Sequence, residues 1–335
     1  MKTFSIIIPV YNGRMVIGKA LDSIYSQGLA DEQFEVICVD DCSPTMETYD
    51  TLNNYTYNGK HPTNLKVLRH DVNKRQGGGR NTGVREACGR WILFLDQDDK
   101  LVEGCLKHLI ERKEEISNLD MLMVSHRVEN VLCDSVTTKV FINDDVDTTI
   151  MSGCDYICKN QIGWAPWCYI YSRTFLLDNK LFFEENVRWE DLDYVMNAIL
   201  SARRMSFLPI ETYHYILDGN NTSFMGSDVG KVRDWFRMSI RVKNVAEDYM
   251  DINKNAAMVV MNHHVHHYSS ALKTVLWRLT FRDILYILEN YKPYDKSKDA
   301  LINWVLRFPR LYATIAQVVR PILLGGLWIK NYIKR

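Results

Sequence analysis

The sequence predicts an α/β domain with a mostly parallel central sheet, followed by a helical C-terminal region. In the first hundred residues, short apolar runs alternate with segments of helical spacing, which is the pattern of βαβ units. Two of these runs end in aspartates, and ligands of such sheets bind beyond the carboxyl ends of the strands. After about residue 226 the spacing of apolar residues is helical to the end.

The predicted elements follow in order along the chain. The runs FSIIIPV, FEVICVDD, LKVLRH, RWILFLD and DMLMVS have strand length, and we interpret them as strands. After the first run, Ile17, Ala20, Leu21 and Ile24 repeat at the spacing of a buried helix face. One amphipathic helix is predicted over 101–117. The runs RVENVLCD and VTTKVFI are predicted to form an antiparallel pair.

Length and composition predict two parts. The chain has 335 residues, of which 47% are apolar and 24% charged, as in a globular protein with a sizeable core. We predict a larger domain at 1–225 and a smaller helical region at 226–335. Lys and Arg number 41 and balance 41 Asp and Glu, so no overall positive field favours a nucleic-acid partner.

The cysteines predict a reducing compartment. There are eight, none is in a CxxC pair, and several lie inside apolar runs. We interpret them as reduced core residues of a cytoplasmic protein. The first apolar run is interrupted by Pro9 and no small-residue cleavage site follows, so no export signal is expected.

Carboxylates cluster where two predicted strands end. Asp40 and Asp41 end the second strand, and Asp96, Asp98 and Asp99 follow the fourth. Because the carboxyl ends of parallel strands share an edge, these side chains are expected to converge. Such aspartates suit Mg²⁺ or Mn²⁺, which bind carboxylate oxygens and leave other positions to phosphate and water. From these residues alone, a polar loop that caps the next helix is an equal alternative.

Four motifs, in this order and spacing, resemble one family. SIIIPVYNG, VICVDDCSPT, GGGRNTG and WILFLDQDD are similar to motifs of the family 2 glycosyltransferases with the GT-A fold, of the bacterial envelope and exopolysaccharide type. The resemblance covers 1–225. It implies that Pro9 and Tyr11 lie beside a nucleoside, that Asp41 accepts a hydrogen bond from uracil, and that Asp96 faces the ribose.

The resemblance also implies a metal ligand. Asp98 would bind Mn²⁺ or Mg²⁺ together with the diphosphate of a sugar nucleotide, and the shared cation would make the clustered negative charge tolerable. Asp40 would support the loop that carries Asp41. Asp99 would support Asp98 or cap the next helix.

GGGRNTG invites comparison with phosphate-binding loops, but neither common glycine pattern fits it. The resemblance instead implies that Gly77 to Gly79 form a flexible segment, after which Arg80 and Asn81 begin a helix below the nucleotide. Relatives often carry alanine at the position of Gly79. Arg80 is expected to donate to the sugar nucleotide, with a salt bridge to an acidic loop as the alternative.

A second acidic pair lies in WEDLDY. Glu190 and Asp191 could simply begin a helix, where carboxylates suit the positive end of the helix dipole. The resemblance makes Asp191 the catalytic base that deprotonates an acceptor hydroxyl, with Glu190 orienting the acceptor. A single displacement would then invert the anomeric carbon.

Further site residues are expected before and after Glu190 and Asp191 in the sequence. Trp164 and Trp167 could stack on an acceptor sugar, although buried packing is the commoner role of tryptophan. His214 lies where similar enzymes offer a further metal or phosphate contact. Relatives often have an arginine nearby, which would contact the diphosphate. This chain has Ile216 and Leu217 in that region, which puts such a diphosphate contact in doubt.

The C-terminal stretch 300–335 carries six basic residues and no acidic one. Arg320 and Pro321 interrupt its apolar runs, so a membrane-spanning helix is not expected. The sequence allows two interpretations: a segment that lies on an anionic membrane surface, and an ordinary helical pair that packs on the domain.

Together these observations predict an inverting, metal-dependent glycosyltransferase that uses a UDP-sugar and a glycan or lipid-linked glycan acceptor. One alternative within the fold is transfer to polyprenyl phosphate, which needs no strong base. A metal-dependent nucleotidyltransferase and a binding module without activity are the other two alternatives.

Overall fold

The computed structural model describes residues 2–131, 135–139, 148–217, 228–274, 279–291 and 300–319. The chain forms two compact units, Met1–Asn221 and Thr222–Arg335, whereas the sequence analysis drew the boundary after residue 225. Each unit has its own hydrophobic core.

The N-terminal unit is built on one sheet, which has nine strands in the described part of the chain. The strands are β1 (Phe4–Val10), β2 (Phe34–Asp40), β3 (Leu65–Arg69), β4 (Trp91–Phe94), β5 (Lys100–Leu101), β6 (Met121–Asn130), β7 (Ser135–Lys139), β8 (Tyr169–Ser172) and β9 (Met205–Leu217). Every residue of β1 and β2 is buried, as expected for strands that are covered on both faces of the sheet.

The strand order is β3-β2-β1-β4-β8-β6-β9-β5, with β7 paired to β6. The first four strands in this order are parallel. β8 is antiparallel to both of its neighbours, and β6 and β9 are parallel. The predicted α/β class with a mostly parallel core is confirmed, and so is the antiparallel pairing of β6 with β7.

Eight helices of the N-terminal unit connect or cover these strands in its described part. They are α1 (Ile17–Tyr25), α2 (Glu47–Asn53), α3 (Arg75–Glu86), α4 (Cys105–Glu111), α5 (Lys113–Ile116), α6 (Gly153–Lys159), α7 (Arg173–Asp178) and α8 (Asp191–Ser201). In α1 the four residues predicted from helical spacing are the buried ones, Ile17, Ala20, Leu21 and Ile24. The periodicity therefore identified the buried face correctly.

The single helix predicted over 101–117 is wrong. Lys100 and Leu101 pair with β9 as the short strand β5, and Gly104 adopts a left-handed conformation with φ of 74° before α4 begins. Arg112 then separates α4 from α5. Strand pairing and a left-handed glycine override the helical spacing of the apolar residues here.

The flexible glycine segment is also wrong, because Gly77 to Gly79 lie inside α3, which begins at Arg75. These glycines are buried and allow close packing. A Cβ on Gly79 would lie 2.9 Å from Pro9 Cβ, and one on Gly83 would lie 2.3 Å from Ile7 Cγ2. α3 therefore packs so closely on β1 that a Cβ at either position would require the helix or the strand to shift.

The described cysteines are free, and four of them are buried: Cys38, Cys105, Cys154 and Cys168. Burial raises the pKa of the Cys105 and Cys168 thiols to about 12, so both stay protonated at neutral pH. They act as small apolar side chains of the core, as the sequence predicted.

The C-terminal unit is helical throughout its described part. Its helices are α9 (Val229–Asp248), α10 (Lys254–Thr274), α11 (Phe281–Asn290) and α12 (Ala300–Arg307), followed by a helix over 309–319. Phe236 of α9 and Tyr268 of α10 meet edge to face with ring centroids 4.8 Å apart in the core. None of the described helices is long and apolar enough to cross a membrane.

Candidate functional site

The predicted convergence of acidic residues is present at the carboxyl edge of the parallel strands. Val10 at the end of β1 pairs with Asp40 at the end of β2, and the Asp41 N–H donates to the Val10 carbonyl at 2.8 Å. On the other side of β1, the Leu95 N–H donates to the Ile7 carbonyl at 3.0 Å, just before Asp96. The loops after three neighbouring strands therefore begin at one edge.

Asp40 holds the loop after β2 in place. Its buried carboxylate accepts hydrogen bonds from the Ser43 hydroxyl and from the Arg69 guanidinium, which also donates to the Ser43 carbonyl at 2.9 Å. Both carboxylate oxygens have partners, so the charge of Asp40 is compensated within the protein. Asp40 is a structural support for its neighbour.

Asp41 is arranged differently from Asp40. Its Oδ1 accepts from the Lys74 N–H at 2.8 Å and lies 2.7 Å from His70 Nδ1, while its Oδ2 is buried without a hydrogen-bond partner among the described residues. His70 Nε2 lies 2.8 Å from the Thr82 hydroxyl, so both ring nitrogens are used. A buried carboxylate oxygen is costly to leave unpaired, which makes Oδ2 a fitting acceptor for an N–H of a ligand.

Tyr11 is held by its backbone and presents its ring to solvent. The Gln97 side-chain amide accepts from the Tyr11 N–H at 3.0 Å and donates to the Tyr11 carbonyl at 3.2 Å. The Tyr11 side chain is 48% exposed, whereas Pro9 is buried within β1. Of the two residues expected beside the nucleoside, Tyr11 is the one with an accessible ring.

Arg80 joins the acidic loop after β4, which holds Asp96, Asp98 and Asp99, to the ED pair, Glu190 and Asp191. Its guanidinium donates to Asp96 Oδ1 and to Glu190 Oε1, each at 2.7 Å, and the residue is only 3% exposed. The guanidinium also lies 5.3 Å from the centroid of the Phe183 ring. The salt bridge to the acidic loop, which was the alternative role for Arg80, is therefore present. Contact of Arg80 with a donor stays a prediction, for which its Nε–H is still unpaired among the described groups.

The ED pair lies at the N-terminus of α8, where burial raises the pKa of both carboxyl groups. Burial raises the pKa of Asp191 to about 7, helped by the negative charge of Glu190 and opposed by Arg80. Burial also raises the pKa of Glu190, which Arg80 opposes by direct pairing. Asp191 is partly buried, and with a pKa near 7 it can both accept and release a proton at neutral pH.

The three aspartates after β4 have different surroundings. Asp99 is buried and accepts from the Tyr213 hydroxyl at 2.5 Å and from the Ile216 N–H at 2.8 Å. Burial, and then the charge of Asp96, raise the pKa of Asp99 to about 8. Asp98 is exposed at the same edge.

No group of three or more metal-ligating side chains is preassembled in the part of the chain that the structure describes. A site with one exposed carboxylate, Asp98, fits Mg²⁺ or Mn²⁺, because these ions complete their coordination with phosphate oxygens and water. Of the three aspartates after β4, Asp98 is the exposed one, and binding of a metal ion by its carboxylate stays a prediction.

His214 lies beside the acidic loop in the sheet, where it is paired in register with Lys100 of β5. Its Nε2 is 2.9 Å from Glu129 Oε2 on β6, and burial lowers its pKa. The imidazole therefore contacts a carboxylate of the neighbouring strand. Contact of His214 with a metal or phosphate stays a prediction.

Trp167 belongs to an aromatic stack next to the acidic loop. It lies in a short 3-10 turn, and its ring stacks on Tyr213 with centroids 4.2 Å apart and on Tyr215 at 5.6 Å. Tyr213 in turn donates to Asp99. Trp167 therefore packs against aromatic side chains, which is the commoner role of tryptophan. Trp164 is partly buried, and acceptor stacking by either tryptophan stays a prediction.

A sequence model described as Glycosyl transferase family 2 matches residues 5–142, which hold β1 to β7 and the acidic loop. The match covers 138 of the 335 residues, so it assigns the N-terminal part of the chain to this family. The fold and the four motifs thus agree with a bacterial family 2 glycosyltransferase.

The chain is similar to curated bacterial proteins. It is 30% identical over 217 residues to the poly(ribitol-phosphate) beta-N-acetylglucosaminyltransferase TarS of Staphylococcus aureus (strain MW2), covering 64% of this chain and 35% of TarS. It is also 30% identical over 224 residues to the poly(ribitol-phosphate) beta-glucosyltransferase of Bacillus spizizenii, covering 65% and 33%. The chain therefore spans about a third of the length of these relatives.

A solved structure has the same fold. The crystal structure of S. aureus TarS 1-349 in complex with UDP-GlcNAc matches with a TM-score of 0.65 over 97% of this chain and 92% of that one. The sequence identity of this match is 20%, so it establishes the GT-A fold with a helical C-terminal region and nothing finer.

Three residues of the candidate site were missed by the sequence analysis: His70, Gln97 and Tyr213. His70 ends the third predicted strand at the same sheet edge as Asp41, and that position was an available signal. Gln97 and Tyr213 gave no signal of their own, because their roles depend on partners that are 86 and 114 residues away in the sequence.

Proposed function

We propose that this family 2 protein transfers a sugar from a UDP-sugar to an acceptor hydroxyl, with inversion at the anomeric carbon. The observation that carries the proposal is the guanidinium of Arg80, which joins Asp96 on the nucleotide side to Glu190 on the acceptor side. Asp191, whose pKa is raised to about 7, follows Glu190 directly. A donor held at Asp96 would thus lie next to Asp191, a base suited to neutral pH.

The donor is proposed to be a UDP-sugar, either a hexose or an N-acetylhexosamine. Uracil carries an imide N–H, and the unpaired Oδ2 of Asp41 is a suitable acceptor for it. The exposed ring of Tyr11 offers a surface for the base or ribose. The complex of the structural relative TarS with UDP-GlcNAc supports the same donor class.

Asp98 is the residue proposed to hold Mn²⁺ or Mg²⁺. When bound, the cation would neutralise charge that develops on the diphosphate leaving group. The protein contributes one exposed carboxylate, while Arg80 and Tyr213 keep the neighbouring carboxylates occupied.

The proposed chemistry is a single displacement. Asp191 accepts the proton of the acceptor hydroxyl, and the hydroxyl oxygen forms a bond to the anomeric carbon. The bond between that carbon and the diphosphate oxygen breaks, and UDP leaves with the bonding electrons. Glu190 stays paired with Arg80 and orients the acceptor beside Asp191.

The acceptor is proposed to be a glycan or a lipid-linked glycan of a cell-surface polymer. The names of the relatives support this class, since they include poly(ribitol-phosphate) glycosyltransferases and the minor teichoic acid biosynthesis protein GgaB of Bacillus subtilis. The free cysteines of the described part support a reducing compartment, and we propose the cytoplasm, at the inner face of the membrane.

The substitution Asp191→Asn tests this function. Asparagine keeps the shape but cannot accept the proton, so transfer should fall by about 10²-fold or more while the Kd for UDP stays unchanged. Product analysis with a panel of UDP-sugars and glycan acceptors should find UDP.

Each alternative function predicts a different result in these measurements. Full activity of Asp191→Asn toward a polyprenyl phosphate would favour phosphate as the nucleophile. Release of pyrophosphate would favour nucleotidyl transfer, and UDP binding without turnover on any acceptor would favour a binding module.

A further inference from the structure

The helix over 309–319 in the C-terminal unit has two apolar faces. Ala313 and Ala316 are buried in the core of that unit. Leu311, Ile315 and Val318 are 49%, 43% and 68% exposed. We call these three exposed residues the C-terminal stripe.

The C-terminal stripe is one continuous surface. Its residues are spaced at i, i+4 and i+7, which places them on one side of a helix, one turn after another. Phe308, just before the helix, is also 42% exposed. Single exposed apolar side chains are normal, but adjacent ones on one helix face indicate a contact surface.

The charged residues of the sequence stretch that carries the C-terminal stripe are all basic. Arg307 and Arg310 are exposed at its N-terminal end, and the stretch 300–335 contains six basic residues and no acidic one. Four of the six lie beyond residue 319, outside the described part. This combination of an apolar face with basic neighbours complements an anionic lipid surface.

We propose that the C-terminal stripe docks on an anionic membrane leaflet, with the helix parallel to the surface and Arg307 and Arg310 contacting lipid headgroups. No described helix can span a bilayer, so the contact is peripheral. The surface lies in the helical unit and does not use the sugar-transfer site. If the proposed function holds, docking would bring the enzyme to lipid-linked acceptors.

Co-sedimentation of the full chain with lipid vesicles tests the docking surface. Vesicles of phosphatidylcholine mixed with phosphatidylglycerol should bind the protein, and vesicles of phosphatidylcholine alone should bind it more weakly. The variant Leu311→Gln/Ile315→Gln/Val318→Gln should lose at least about tenfold in affinity, because three apolar side chains no longer enter the interface.

The matched control replaces three exposed apolar residues elsewhere in the same unit, as Val229→Gln/Ile252→Gln/Tyr286→Gln. It removes a similar number of exposed apolar groups and should bind like the unmodified chain.

A second variant separates charge from apolar contact. Arg307→Gln/Arg310→Gln should weaken binding to the anionic vesicles by about fivefold for each charge, and the loss should shrink as salt is added. Binding to vesicles of phosphatidylcholine alone should stay unchanged in this variant.

Four results would overturn the proposal. Unchanged vesicle binding of the C-terminal stripe variant, or no binding by the unmodified chain, excludes membrane docking at this face. A clear fall in Tm of the same variant means that another part of this chain covers the stripe. A change in mass from oligomer to monomer means that a second copy covers it. None of these measurements uses a sugar donor or an acceptor. Their results are therefore independent of the test of transferase activity.

Discussion

At the scale of single residues, the site is organised by which carboxylates have partners. Asp40 is fully paired, Asp96 and Glu190 share Arg80, and Asp41 keeps one buried oxygen unpaired. Like charges so close together are tolerable only when each is neutralised or protonated. The unpaired and exposed carboxylate oxygens are therefore the ones to which ligands are assigned.

Asp191 should make the reaction depend on pH. Its pKa is raised to about 7, and a base works only when deprotonated, so kcat/KM should rise with pH up to about 7 and then level off. A pH series of initial rates, with UDP affinity measured at each pH, checks this expectation. Rates that are flat from about pH 5 to 7, well above the ordinary pKa of aspartate, would contradict the role of Asp191 as the base.

His70 should control UDP affinity through Asp41. The substitution His70→Ala removes the contact at 2.7 Å and leaves the carboxylate less well oriented, so the Kd for UDP should rise by about tenfold or more. Isothermal titration calorimetry measures it. His70→Asn can place an amide N–H near Nδ1 and should recover part of the affinity, while Thr82→Val, one step further from Asp41, should have a smaller effect. An unchanged Kd in His70→Ala would contradict this role.

At the scale of elements, the position of the site depends on how closely α3 packs on β1. Arg80 reaches both Asp96 and Glu190 because the glycines before and after it let the helix lie directly on the strand. Gly83 would place a Cβ 2.3 Å from Ile7, and Gly79 one 2.9 Å from Pro9. Packing of this kind positions the guanidinium before any ligand binds.

Alanine at Gly83 should destabilise the N-terminal unit. The substitution Gly83→Ala forces Ile7 or α3 to move, and we expect the free energy of unfolding to fall by about 1–3 kcal/mol. Urea unfolding followed by circular dichroism measures it. Gly18→Ala is the matched control, because Gly18 lies in α1 with nothing within 4 Å of the new Cβ. It should stabilise by about 1 kcal/mol through helix propensity. Equal effects of the two substitutions would contradict tight packing.

At the scale of the whole molecule, ligands should stabilise the N-terminal unit. The proposed binding of UDP with Mn²⁺ requires the folded site, so at a hundredfold excess over Kd the gain in the free energy of unfolding should be about 2.7 kcal/mol and Tm should rise. Thermal unfolding with UDP, with and without Mn²⁺, measures the shift. Chelation of the metal or Asp98→Asn should remove most of the metal-dependent part. A Mn²⁺-dependent shift that is unchanged in Asp98→Asn would contradict the assignment of the metal ligand.

Much of this molecule follows from the sequence by itself. The parallel strands, the buried face of α1, the convergence of carboxylates at one edge and the helical C-terminal unit were predicted, because periodicity records burial and parallel strands end at a common edge. The motifs added a resemblance to family 2 glycosyltransferases, and the family model then matched residues 5–142.

Only the tertiary structure decided which side chains meet. Arg80 and Glu190 are 110 residues apart, and Tyr213 and Asp99 are 114 apart, so no local pattern could pair them. The same holds for the glycines of α3, which were predicted as a flexible segment and are instead packing positions. Burial and electrostatics depend on neighbours brought together by folding, and they determine the pKa of Asp191 and the unpaired oxygen of Asp41.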